Sequence, residues 1–335
     1  MVPQMNYKHF QTYFERKYRL EVEEYDEIDR GNILEGKLIS KVDGSGVLIR
    51  KGIPRFAPDQ NYSDNFGLQW NIFRSTQLDS CTGLSLSSKR FWENTKWTKD
   101  QLFGKTILEV GSGAGRFTEI MLQSGATVVS IDNSIAVDAN YSSNSQKGDL
   151  FLLQADLHQL PFAEGGFDFV FCYGVLQHTP DPAKAYTTIY GMLKPGGSIS
   201  IDYYLKSLRP SPWSFPKYFW RPITSRMNPI TLYKIVKVYI PLYLPIDTFI
   251  RRIPYIGNYL CSIIPIPCWN YLHFGLGDDQ RLEWAIMDTF DALGARYDSP
   301  KTLKEVESMV YSDQNEMSYV FYGSNGVVAN VDKKI

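Results

Sequence analysis

The chain has 335 residues, 44% of them hydrophobic and 21% charged, with a formal net charge of −1. That length can bury a sizeable core in one large or two ordinary domains, and the composition excludes a disordered chain. Near-neutral charge withholds the basic character that nucleic-acid binding requires.

Four cysteines, Cys81, Cys172, Cys261 and Cys268, are scattered without a C-x-x-C pair. This argues against a zinc centre and against a disulfide framework, and fits a reducing, cytoplasmic setting. The leading stretch MVPQMNYKHFQTYFERKY is polar and basic with no apolar core, so no secretory signal is expected. No apolar run approaches the ~18 residues that span a bilayer. The longest, VYIPLYLPI (238–246), carries two prolines.

Residues 1–103 read as an N-terminal extension. Its acidic cluster EVEEYDEID suits a solvated face, and VDGSGVLIRKGIPRFAP suggests a small hairpin with a strand over 47–50. NFGLQWNIFRSTQLDS has the apolar spacing of a helix lying on a larger body.

From Lys105 strands alternate with helices. TILEVG, TVVSIDN, DLFLLQAD, FDFVFCYG and SISIDYY read as strands, with GRFTEIMLQSG and AKAYTTIYGML among the helices between them. A helix over 301–310 and strands near 316–322 and 326–331, joined by GSNG, close the chain. The pattern predicts an α/β fold: a doubly wound, mostly parallel seven-stranded sheet ending in an antiparallel hairpin. The core occupies 104–204 and 278–335.

Between them, residues 205–277 form an insert. The stretch 203–277 holds nine Lys or Arg against one acid, Asp247, so it carries +8 while the rest carries −9. Three readings stand: a lid over an acceptor pocket, an interfacial surface touching a membrane, or a helical cap with solvated cations.

In LEVGSGAGRF, glycines 111, 113 and 115 follow a strand, where a backbone without Cβ atoms can approach a nucleotide. The dinucleotide fingerprint would need glycine at position 116, which is Arg116. Glu109 would repel a pyrophosphate but suits a ligand with a cationic end. Asp132, ending the second strand, is placed to accept from two ribose hydroxyls. Asp156, ending the third, can accept from an adenine amino group, and Leu157 can offer its backbone N–H to the ring.

With LEVGSGAGRF, SIDNS, QADLHQLPFAEGGFDFVFCYGVLQHTPDP and MLKPGGSISI, the core resembles the class I S-adenosylmethionine-dependent methyltransferases. LQHTPDP and LKPGG are similar to the subgroup that includes quinone-biosynthesis C-methyltransferases. The resemblance implies S-adenosylmethionine as cofactor, with Ser112, Asn133 and Tyr173 joining the residues above. KGIPRF, NFGLQW, QLDS and DTFDALGARYDSP resemble a bacterial branch associated with surface-polysaccharide biosynthesis. Relatives there carry a cysteine-bearing zinc ribbon before GIPRF; KLISKVDGSGVLIR has no cysteine, so no metal is carried over.

A hydroxyl acceptor benefits from a base. His178, just past the fourth strand, is the leading candidate, or else a helix-capping histidine. His273 and Asp288 with Asp291 are acceptor-side candidates, and Tyr203 and Tyr204 are candidates for the cleft wall. The expected function is O-methylation of a sugar hydroxyl, on a free, nucleotide-linked or lipid-linked acceptor. The alternatives are a quinone, lipid or other small hydrophobic acceptor, and a cofactor-binding scaffold without transfer.

Overall fold

The computed structural model describes residues 5–25, 31–206 and 215–335. Helix α1 (Tyr7–Tyr13) leads into strands β1 (Tyr18–Tyr25), β2 (Ile33–Ser40), β3 (Gly46–Arg50) and β4 (Ile53–Pro54). These pair antiparallel in chain order. A four-stranded sheet therefore stands where a hairpin was expected. The acidic cluster explains the difference, because in β1 its acids alternate with apolar residues. Leu20 and Val22 pack on the core, and Glu21 and Glu23 face solvent. Asp26, Glu27 and Asp29 of that cluster lie outside the described residues.

Helices α2 (Asp64–Ile72), α3 (Asp79–Thr82), α4 (Leu86–Thr95) and α5 (Lys99–Leu102) follow. The alternating core then runs β5 (Thr106–Val110), α6 (Thr118–Gln123), β6 (Thr127–Asp132), α7 (Ala136–Asn144), β7 (Leu150–Gln154), β8 (Phe167–Cys172), α8 (Pro182–Gly191) and β9 (Leu193–Tyr203). KPGG belongs to β9 rather than preceding it, with Gly196 at φ +73. After β9 come α9 (Phe215–Thr224), α10 (Pro229–Arg251), α11 (Gly257–Ile263), α12 (Asp278–Gly294), α13 (Leu303–Val310), β10 (Asn315–Gly323) and β11 (Gly326–Lys333).

The large sheet has the order β10-β11-β9-β8-β5-β6-β7, with β11 antiparallel to both neighbours. It is the doubly wound sheet with the antiparallel closing hairpin that the alternation predicts. Apolar runs in the inner strands are buried on both faces. Leu108, Val110, Val129 and Ile131 meet one core, while Ile107, Val128, Leu150 and Leu152 meet the other. The chain winds outward from β5 through β6 to β7, then returns to β8. The β5/β8 boundary is thus the switch point, where the strand ends leave a crevice.

The edge strand β7 is covered by the small sheet. The Phe56 N–H donates to the Gln154 carbonyl at 2.7 Å, next to the Arg55–Gln154 bridge. In the insert, Leu232, Val236, Ile240 and Leu244 of α10 pack on Ala285, Phe290 and Leu293 of α12. Pro241 and Pro245 do not end α10. Both are exposed, so the carbonyls they leave unpaired face water.

Candidate cofactor and acceptor site

At the carboxyl ends of β5, β6, β7 and β8 lies a cleft. Its floor is made by Val110 and Gly111, Ile131 to Asn133, Ala155 and Leu157, and Gly174 and Val175. Each group is the last residue of a strand or the first of its loop, so the winding of the sheet positions them. Tyr62, Ser63, Phe66 and Trp70 form the roof, with His178 and Thr179 at one end.

Asp132 is the carboxylate on the cleft wall. Its Oδ2 accepts from Gly113 N–H at 3.0 Å, and its Oδ1 accepts from the N–H and hydroxyl of Ser134 at 2.8 and 2.7 Å. A carboxylate has about four acceptor positions. Three are filled here, which leaves capacity for a hydroxyl donor in the cleft. Burial raises its pKa, opposed by the bonds from Ser134 and Gly113. A neutral donor from a ligand would favour the ionised form further.

The glycine loop takes left-handed backbone angles, φ +76 at Gly111, +52 at Gly113 and +84 at Gly115. A Cβ on Gly111 would lie 2.1 Å from Val175 Cγ2, and one on Gly113 would lie 2.9 Å from the Trp70 ring. The loop is therefore closely covered by two rotatable side chains that also line the cleft. Gly115 serves packing, since its Cβ would strike Asn140 and Asn144.

The three carboxylates do not gather as expected. Glu109 is 1% exposed and sits beneath the loop, where Oε2 accepts from the hydroxyls of Thr118 at 2.5 Å and Ser130 at 2.7 Å. Burial pushes its pKa up to about 7, against those two bonds. It braces β5 against β6 and α6 and does not line the cleft. Its place one step inside the last residue of β5 turns it away from the rim. Asp156 is half-buried between two lining residues, Ala155 and Leu157, and its Oδ1 accepts from His158 N–H at 2.9 Å. Tyr62 connects the two sides. Burial raises its phenol pKa, and the charges of Asp156 and Asp132 raise it further. Asn133 lines the cleft and donates to Asn61 Oδ1 at 3.1 Å. Ser112 and Tyr173 are buried outside the lining; the Tyr173 hydroxyl meets Ser200 Oγ at 2.7 Å.

At the far end His178 sits in a single 3-10 turn, Leu176–His178. Its Nδ1 lies 2.9 Å from the Tyr297 carbonyl. A carbonyl only accepts, so Nδ1 carries the proton and Nε2 is bare. Nε2 is buried without a partner, in a residue that lines the cleft. Phe66 and Tyr204 hold the ring from two sides, at 5.2 and 5.3 Å between centroids. Burial lowers the imidazole pKa to about 4, with Asp298 opposing and Lys217 and Arg221 adding to the shift. The neighbouring Asp298 accepts from Lys217 Nζ at 2.6 Å.

The other acceptor-side candidates separate. His273 is exposed and outside the cleft lining. Asp288 of α12 accepts from the Tyr271 hydroxyl. Burial, then the charge of Asp291, pushes its pKa up to about 8 against Arg116 and Arg90. Asp291 is pushed up to about 6, chiefly by burial. Tyr203 is wholly buried in the core, so of the two strand-end tyrosines only Tyr204 stands beside His178.

Two groups escaped the sequence reading. Asp202 of β9 pairs with Arg90 at 2.5 Å and accepts from Gly174 N–H at 2.5 Å, which pins the loop under Val175. Nothing in SISIDYY marks that role. The α2 roof was partly legible, because NFGLQW suggested a helix on a larger body without saying what it covered.

Residues 108–201 match a family described as "Methyltransferase domain". A ubiquinone biosynthesis O-methyltransferase of Pseudomonas paraeruginosa is 35% identical over 104 residues, 30% of this chain and 45% of that protein. One of Pseudomonas fluorescens is 35% identical over 101 residues, 29% and 44% of the two chains. This chain thus spans less than half the length of these curated relatives. Among solved structures, a SAM-dependent methyltransferase of Aquifex aeolicus is 18% identical. It covers 44% of this chain and 76% of its own, at a TM-score of 0.33.

Proposed function

Residues 108–201 being a class I methyltransferase domain whose cofactor is S-adenosylmethionine, we propose that the whole chain O-methylates a small hydrophobic acceptor of the quinol or phenol kind. Both relatives reported above are ubiquinone O-methyltransferases, which favours this acceptor over the sugar hydroxyl that the flanking motifs suggested. The apolar and aromatic surroundings of His178 favour it too. Phe66 and Val175 give that end of the cleft an apolar lining, and a sugar would ask for more hydrogen-bond partners than they provide.

The observation that carries the reading is the pairing of Asp132 and bare His178 Nε2 along one cleft. The cofactor supplies a methyl group on a sulfonium; as the acceptor oxygen bonds to that carbon, the carbon–sulfur bond breaks and leaves a neutral thioether. Asp132, with one acceptor position free, would accept from a ribose hydroxyl, and Tyr62, Leu157 and Asn133 would flank the base. His178 Nε2 takes the hydroxyl proton while the Tyr297 carbonyl keeps Nδ1–H oriented. Burial disfavours the resulting imidazolium, and the charge of Asp298 partly offsets that cost. Phe66 and Trp70 of α2 cover part of the cleft.

The test is mass spectrometry of the full chain with S-adenosylmethionine and two acceptor panels, catechol or quinol compounds and nucleotide sugars. A single methyl increment on the phenolic panel supports the proposal. Methylation confined to the sugars overturns the acceptor class. Cofactor binding with no product on either panel favours a scaffold.

A further inference from the structure

We propose that the outward face of α9, α10 and α11 docks on an anionic lipid bilayer. No helix among the described residues is long and apolar enough to cross a membrane, so the contact is peripheral.

The face is built by helix periodicity. In α10, Ile235, Val238, Leu242, Ile246 and Phe249 are exposed, Leu242 by 71% and Phe249 by 72%. Their spacing of three and four residues holds them within an arc of about 80°. Leu232, Val236, Ile240 and Leu244 occupy the opposite side and form the insert's own core. A surface helix ordinarily has one apolar stripe, and α10 has two. α11 packs on α10 and α9 packs on α11, and both carry exposed apolar residues of their own. Phe215, Phe219 and Ile223 are exposed on α9 at four-residue steps, and Ile256, Tyr259 and Ile263 are exposed at the start and along α11. The Trp220 indole N–H donates to the Pro265 carbonyl at 2.6 Å, tying α9 to the chain just after α11. Scattered exposed apolar residues are ordinary; three adjoining stripes are not.

Charge selects the occupant. Along α10 no charged residue falls between Lys237 and Asp247, and Asp247 is buried against Arg251. Exposed Lys234 and Lys237 stand on one side of the apolar stretch and Arg252 on the other. Lys237 and Arg252 are about 22 Å apart along the helix at its ordinary rise. Cations at the ends, apolar and aromatic residues between them, and the absence of an exposed acid are what an anionic headgroup layer takes up. A second copy of the same face would set the exposed Lys234, Lys237 and Arg252 against the same cations, which disfavours a symmetric dimer. Lys217, on the buried side of α9, binds Asp298 near His178, so α9 carries the exposed apolar residues on one side and reaches the end of the cleft with the other. The proposal stands on the surface alone and survives a wrong acceptor.

The test is flotation of the full chain with vesicles of phosphatidylcholine, alone or mixed with phosphatidylglycerol. Wild type should float with the anionic vesicles, at least ~10-fold more than with the neutral ones. Leu242→Asp with Phe249→Asp should abolish flotation without changing the melting temperature. Lys234→Gln with Lys237→Gln should weaken it roughly fivefold per cation. Wild type that stays unbound, or a doubly substituted chain that still floats, overturns the proposal. So does a concentration-dependent dimer that the same substitutions dissolve without any vesicle binding, which would make the face a self-interface.

Discussion

Replacing His178 with Gln probes the proposed base most sharply, because the structure separates its two nitrogens. Gln keeps a side-chain donor toward the Tyr297 carbonyl but offers no basic nitrogen to the cleft. If Nε2 takes the acceptor proton, its removal should lower turnover by ~10²–10⁴-fold, equivalent to ~3–5 kcal/mol of barrier. Cofactor affinity should stay within about threefold, since the cofactor-facing groups are elsewhere on the wall. The pH profile supplies a second readout. With a pKa near 4, the imidazole is neutral throughout the ordinary working range, so the acid limb of kcat should lie well below the usual histidine value. The same shift sets a stability trend. The unfolded chain binds this proton at a pKa of about 6.5 and the folded chain only near 4. Stability from this group is therefore complete above about 6.5 and declines as pH falls toward 4, by on the order of 3 kcal/mol. Single-turnover assays and denaturant melts across pH measure both. A folded His178→Gln chain with wild-type turnover would refute the base assignment.

Glu109→Gln should leave cofactor affinity within about threefold, because the carboxylate braces Thr118 and Ser130 and does not line the cleft; a calorimetric loss of ~10-fold or more would restore it as a ligand-facing group. Gly111→Val should abolish cofactor binding and destabilise the chain by several kcal/mol, since it forces φ +76 on a β-branched residue and drives a Cβ into Val175; thermal melts and equilibrium dialysis check both. Arg90→Gln should cost ~3–5 kcal/mol in a denaturant melt, because it leaves the 1%-exposed Asp202 carboxylate without its partner. Asp288→Asn should raise the melting temperature most near pH 8.5, and the gain should shrink steadily as pH falls toward 4. The folded chain holds this proton up to about 8 while the unfolded chain loses it near 3.8, so the native acid costs stability only as pH rises through that window.

The parallel sheet and its closing hairpin were legible because runs such as TILEV and LFLLQ carry the apolar pattern of strands buried on both faces. Asp132 was legible as a cleft residue because it ends the strand that follows the glycine loop, on the carboxyl rim of the sheet. The identity of its partners was not. Glu109 misled, since residue type and proximity to the glycines could not reveal that its side chain faces the helix layer. The α2 roof and Asp202 depend on contacts between distant parts of the chain, Trp70 on Gly113 and Arg90 on Asp202, which no local pattern encodes. The insert shows the same limit. The two prolines of VYIPLYLPI would ordinarily interrupt a helix, yet α10 carries both on its solvent side.

In the proposed function, Asp132 on the cleft wall is the group that holds the nucleoside. Calorimetric titration of S-adenosylhomocysteine into the wild-type chain and into Asp132→Ala measures that directly. Saturable one-to-one binding, weakened by ~10–100-fold in the variant as one charge-assisted contact is lost, is the predicted result. Equal affinity in two folded chains would contradict it.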